Sequence, residues 1–103
     1  MPAPSTSAGP AHDALDRIAD LLKVLGNRDR LHLLLALAGE ELCVGELEAR
    51  LRIQQPTLSQ QLTVLRRNGL VATRRAGRRI YYRAGEGMVR QLLALLPPLA
   101  QAA

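Results

Sequence analysis

Nine arginines fall between residues 49 and 85, and the same stretch holds no lysine and no acidic residue. They are Arg50, Arg52, Arg66, Arg67, Arg74, Arg75, Arg78, Arg79 and Arg83. The segment carries +9, while five basic and nine acidic side chains leave the remainder at −4. Positive charge gathered on one contiguous segment is the footprint of a surface that meets phosphate. The guanidinium fork grips phosphate better than a lysine ammonium does. Arg74, Arg75, Arg78 and Arg79 bracket Ala76-Gly77, the pattern of a hairpin tip. Just upstream, Pro56, Ser59, Gln60, Thr63 and Arg67 recur at helical spacing and form an almost uncharged stripe. Gln can bond an adenine edge at two points, and Ser and Thr can bond a base edge or a phosphate. A polar helix followed by a basic hairpin implies duplex DNA, with the helix on the bases and the hairpin on the backbone. A plain solvated face is the alternative, but such faces usually carry Glu and Lys.

Other chemistry is thinly represented. No Ser/His/Asp set, phosphate-binding glycine loop or paired carboxylates stand out, so neither catalysis nor a cofactor is expected. His12, Asp16 and Asp20 share i, i+4, i+8 spacing but read as the acidic start of a helix, and no metal site is expected. His32 lies among leucines and reads as a packed side chain. Cys43 is the single cysteine, which excludes an intrachain disulfide and fits a reducing compartment.

Hydrophobic periodicity places these groups on a helical frame. Leu15, Ile18, Leu22 and Leu25 mark a first helix over residues 10–25. Asn27 can cap a second helix over 28–38, which is leucine-rich nearly all round and therefore central. Cys43 and Glu46 have capping-box spacing ahead of a short third helix over 44–51. After a turn at 52–54, Pro56 opens a fourth helix that Gly69 stops beyond residue 68. Residues 70–75 and 78–83 read as strands around Ala76-Gly77. Strand alternation lets one of Tyr81 and Tyr82 face the core. A last helix starts near residue 86 and carries more leucine than one internal face needs, until Pro97-Pro98 ends or kinks it.

The chain has 103 residues, enough for one small domain. It is 48% hydrophobic without Trp or Phe, so its core must be aliphatic. Residues 1–11 are uncharged and rich in Pro, Ala and Ser, and read as a disordered arm ahead of a domain over 12–101. That arm lacks the features of a signal peptide, and no apolar run is long enough to span a bilayer, so a cytoplasmic protein without membrane contact is expected.

The blocks Leu25-Gly26-Asn27-Arg28-Asp29-Arg30-Leu31, Glu41-Leu42-Cys43-Val44-Gly45-Glu46-Leu47 and Gln55-Pro56-Thr57-Leu58-Ser59-Gln60-Gln61-Leu62 occur in that order. Asn68-Gly69-Leu70-Val71 and Arg74-Arg75-Ala76-Gly77-Arg78 follow. Together they resemble the winged-helix repressors of the ArsR/SmtB family, and within it the HlyU/BigR-like branch. The resemblance covers about residues 15–96 and implies a mainly α winged helix-turn-helix of five helices with a small β-hairpin wing. It implies base reading by Gln55, Ser59 and Gln60, and phosphate contacts from Thr57 and Thr63. Arg67, Arg74, Arg75, Arg78 and Arg79 complete the implied DNA-binding set.

The resemblance also locates sensor sites, and each lacks ligands here. A Cys-x-Cys pair at the third helix becomes Cys43 and Gly45. A His and acidic site on the last helix finds only Glu86. A cysteine pair between the second and last helices finds no cysteine in either.

The resulting expectation is a bacterial homodimeric transcriptional regulator, a repressor on an inverted-repeat operator. Its interface would be built from Leu15, Ile18 and Leu22 of the first helix and Val89, Leu92, Leu93 and Leu96 of the last. The sequence identifies no inducer. Two alternatives stay open: a winged-helix protein-interaction module, and a redox- or sulfur-responsive repressor that acts through Cys43. A thiol at a helix N-terminus is more acidic than a free one, whereas the plainer reading of Cys43 is a substituted cap.

Overall fold

In a computed structural model, the described residues run from 3 to 102, with side chains from 13 to 102. The order is α1 (Ala3–Leu25), α2 (Arg28–Gly39), β1 (Leu42–Cys43), α3 (Val44–Leu51), α4 (Gln55–Arg67), β2 (Val71–Ala76), β3 (Arg79–Ala84) and α5 (Met88–Ala102). This is the expected mainly α fold of five helices with a hairpin wing. The sheet has the order β1-β3-β2 and is antiparallel throughout.

Local chemistry explains the helix ends. Asn27 caps α2, its side-chain oxygen accepting the Arg30 N–H at 3.0 Å. At the far end of α4, Gly69 sits at φ +68°, and its N–H donates to Arg66 O at 3.0 Å. The Leu70 N–H donates to Leu65 O at 2.9 Å, which completes a Schellman stop. Between α3 and α4, Arg52 holds a left-handed conformation at φ 56° while its N–H bonds Glu48 O at 3.0 Å. A non-glycine residue there stores about 1 kcal/mol of strain or more.

The core is aliphatic, and no polar or charged residue is buried among the described residues. Leu33, Leu34 and Leu37 of α2 stand at its centre, surrounded by Leu47 of α3, Leu58, Leu62 and Leu65 of α4, Leu93 of α5, and Leu42, Val71 and Ala84 of the sheet. Each such leucine contributes roughly 1.5–3 kcal/mol relative to exposure. α2 is thus the central helix, although Leu35 remains exposed.

Several boundaries differ from expectation. α1 begins at Ala3 rather than residue 10, through the stretch read as an arm. That stretch contains Pro4, Gly9 and Pro10, poor helix formers, so local propensity does not account for the extension. The rest of that arm, Met1-Pro2, and the His12 side chain lie outside the described residues. Both wing strands start one residue later than expected. The turn is Gly77-Arg78, not Ala76-Gly77, because Ala76 pairs with Arg79. Gly77 at φ +65° fills the first loop position, which a II′-like hairpin reserves for glycine. The expected capping-box position Cys43 also forms the unforeseen strand β1, paired with Tyr81. α5 starts at Met88 and continues through Pro97 and Pro98 to Ala102. Both prolines are exposed, so their rings stand clear of the core, and the helix forgoes two backbone bonds. No helix among the described residues is long and apolar enough to cross a membrane.

Candidate nucleic-acid interface

α3, the three-residue turn and α4 make a helix-turn-helix, and the β2–β3 hairpin follows immediately. The inner stripe of α4 is fixed by Leu58, Leu62 and Leu65, all buried. That fixes the opposite stripe as well. Gln55, Pro56, Ser59, Gln60, Thr63 and Arg67 are exposed, and Thr57 is half-buried. The Thr63 hydroxyl donates to Ser59 O at 2.9 Å, so its oxygen keeps only acceptor capacity for a ligand. Gln61 turns inward instead, to the Arg30 guanidinium at 2.9 Å.

Strand β1 fastens the wing to this unit. Leu42 pairs with Tyr82 and Cys43 with Tyr81, so β3 is bonded directly to the residues that open α3. Tyr82 packs against the core, while Tyr81 shares the other face with Arg74. Cys43 is buried at 9% exposure, beside a cleft bounded by Glu46, Arg79 and Ile80. Its N–H donates to Glu46 Oε1 at 3.0 Å. That bond is the chief reason the Glu46 carboxyl lies below its ordinary value, followed by the Cys43 thiol.

The expected wing arginines divide into two kinds. Arg74 is held within the protein: its Nη2 lies 2.9 Å from Glu41 Oε1, its Nε is 3.1 and 3.2 Å from the two carboxylate oxygens, and it stacks 5.1 Å over the Tyr81 ring. Arg83 reaches the same carboxylate at 3.9 Å and Glu86 at 3.6 Å. Arg79 is drawn to Tyr81, which holds its guanidinium more firmly charged. Arg75 and Arg78 stand at the tip. The Arg75 side chain bonds only Gly77 O, at 3.3 Å, and no described partner engages the side chain of Arg78, Arg66 or Arg67. Arg66 was not singled out from the sequence, although its place in the last turn of α4 was the available signal.

The Glu41 clamp carries a pH dependence. The hydrogen bond from Arg74 holds the Glu41 carboxyl below its ordinary 4.5. A depressed carboxylate stabilises the fold fully above its unfolded value and loses that contribution as pH falls through the lower folded one. Protection of the wing amides, taken relative to their intrinsic exchange rates, is therefore expected to fall only on acidification below 4.5, whereas Glu41→Gln should show the lowered protection at neutral pH. Equal exchange in the two proteins at pH 7 would mean the clamp is idle.

The expected interface leucines also divide. Leu15, Ile18 and Leu22 of α1 are exposed, and Val89, Leu92 and Leu96 of α5 are half-buried. Leu93 is 2% exposed and belongs to the core of its own chain, which corrects its assignment to an interface. Met88, Leu95 and Leu99 occupy the outer face instead. Their spacing with Leu92 is i, i+4, i+7, i+11, a stripe readable from the sequence but hidden among so many leucines.

A helix-turn-helix with an exposed polar helix, joined to an arginine-tipped hairpin, defines the winged helix-turn-helix class of double-stranded DNA-binding proteins. Residues 27–73 match the bacterial regulatory protein, arsR family. The chain is 52% identical over 79 residues to the biofilm growth-associated repressor of Agrobacterium fabrum, covering 77% of this chain and 68% of that protein. The transcriptional repressor BigR from Xylella fastidiosa superposes with a TM-score of 0.78 at 42% identity, over 91% of this chain and 93% of that one. A homodimeric winged helix-turn-helix DNA-binding domain from Mycobacterium bovis superposes at 0.79 with 36% identity, over 87% and 83% of the two chains. The chain belongs to the ArsR/SmtB family of transcriptional regulators. It is a DNA-binding regulator and not an enzyme.

Proposed function

We propose that the chain is a homodimeric cytoplasmic repressor that binds an inverted-repeat operator and needs no cofactor. Residues 12–101 are the working unit. Gln55, Ser59 and Gln60 read base edges from the major groove, and Thr57 and Thr63 donate to the sugar-phosphate chain, Thr63 by turning its hydroxyl away from Ser59 O. Arg67, Arg75 and Arg78 grip phosphates, while Arg74 and Arg79 hold the wing that presents them. Cys43 acts as a cap. The observation that carries this reading is the exposed, uncharged face of α4 beside arginines with no protein partner. A solvated surface has no need of that combination, and a base-reading surface does.

The dimer is proposed through Leu15, Ile18 and Leu22 of α1 with Met88, Leu92, Leu95 and Leu99 of α5. These side chains leave a large apolar surface uncovered on one chain. The relative from Mycobacterium bovis is described as homodimeric, which supports a dimer. A two-fold pair presents two α4 helices to half-sites about one helical turn, ~34–36 Å, apart.

The test is Gln60→Ala. It should weaken binding to the operator by roughly 1–3 kcal/mol and relax the preference at one base position. Binding to random duplex should change little. Equal weakening on both duplexes, measured by titration at fixed salt, would remove Gln60 from the reading set.

A further inference from the structure

Arg30 joins three helices. It is half-buried near the start of α2. Its Nε donates to Val24 O at 2.6 Å and its Nη2 to Lys23 O at 3.4 Å, both in the last turn of α1. Its Nη1 donates to Gln61 Oε1 of α4 at 2.9 Å. The last carbonyls of a helix have no partner within it, and that end of the helix dipole attracts a cation. The end of α1 therefore fixes one side of the guanidinium. The group is planar and rigid, so the direction of its remaining donors is fixed as well. Gln61 lies on that line. It follows Gln60 in the chain, and neighbouring residues of a helix stand about 100° apart around the axis. Holding Gln61 against Arg30 thus sets the angle at which Gln60 and Ser59 face outward.

We infer that Arg30 is a positioning residue that sets the orientation of α4 relative to α1, and through it the spacing of the two half-sites that the protein accepts. The inference rests on the proposed dimer and its reading helix. In that dimer α1 lies at the interface, so the path from one reading helix to the other crosses α1, Arg30 and Gln61 on each side. A lysine at position 30 keeps the charge but offers no planar fork, so it cannot fix the end of α1 and Gln61 at once.

The experiment uses the full chain and an inverted repeat selected by the unaltered protein from random duplexes. Companion duplexes have the spacer lengthened or shortened by one base pair, and a random duplex serves as reference. Arg30→Lys, Arg30→Met and Gln61→Leu should each stay dimeric and lose about tenfold in affinity for the selected repeat. Their affinity for random duplex should hold, and the preference for the selected spacer should flatten. The Arg30→Met, Gln61→Leu double variant should be no worse than Arg30→Met alone, because the change at Arg30 already removes the bond to Gln61. If the Arg30 variants do not fold, Gln61→Leu decides alone. Unchanged spacer preference in Gln61→Leu, or equal losses on selected and random duplex, refutes the role of Arg30. Failure of the unaltered protein to select any repeat instead refutes the proposed reading of DNA.

Discussion

Leu95→Glu is expected to give a folded monomer that no longer holds an inverted repeat. Leu95 is 65% exposed on the isolated chain, so a glutamate there stays hydrated and leaves the core intact. In a two-fold dimer the same substitution appears twice across the axis and sets two carboxylates into an apolar interface. Each unpaired buried charge costs about 3–5 kcal/mol, so the dimer should dissociate. Operator binding should disappear with the dimer, since one α4 reaches only one half-site. Leu93→Ala provides the contrast. At 2% exposure Leu93 fills the core, so truncation should lower stability by about 2–5 kcal/mol without a specific effect on assembly. Sedimentation at micromolar concentration separates the two outcomes. A dimeric Leu95→Glu protein, or an unaltered protein that sediments as a monomer, would sink the proposed interface.

What the sequence discloses of this fold follows the range of each interaction. Asn27, Pro56 and Gly69 act within a turn of where they stand, and the helices they bound fall where their types require. The outer stripe of α4 is legible because Leu58, Leu62 and Leu65 fix its complement. The wing is legible as a hairpin but one residue out of register, because both Ala76-Gly77 and Gly77-Arg78 offer a glycine to the turn. Only the pairing of Ala76 with Arg79 decides between them. The first prolines of a helix and those deep inside one obey different rules, and Pro97-Pro98 shows that two missing N–H groups do not suffice to stop a helix. Partners distant in sequence are not legible at all. Glu41 and Arg74 stand 33 residues apart, and Arg30 and Gln61 stand 31 apart. Nothing local marks Arg74 as the ion-paired member of the Arg74-Arg75 pair. A charge count therefore identifies a basic wing but not which of its arginines are free.

That division among the arginines predicts the salt dependence of binding. Replacing Arg75 and Arg78 together with alanine should weaken binding to operator and random duplex alike. Each lost phosphate contact removes counterion release and should flatten the slope of log affinity against log salt by about 0.9. Two contacts make the double variant about tenfold less sensitive to a rise from about 50 to 200 mM salt. Arg74→Ala should behave differently. Arg74 is neutralised by Glu41 before DNA arrives, so its loss removes no phosphate contact and should leave the slope unchanged. It frees the wing from its clamp instead, and affinity should fall through misplacement of the tip. An unchanged slope in the Arg75, Arg78 variant would mean that the tip stays off the backbone. The same flattening in Arg74→Ala would mean that Glu41 releases Arg74 to phosphate when the wing meets DNA, and that the clamp belongs only to the free protein.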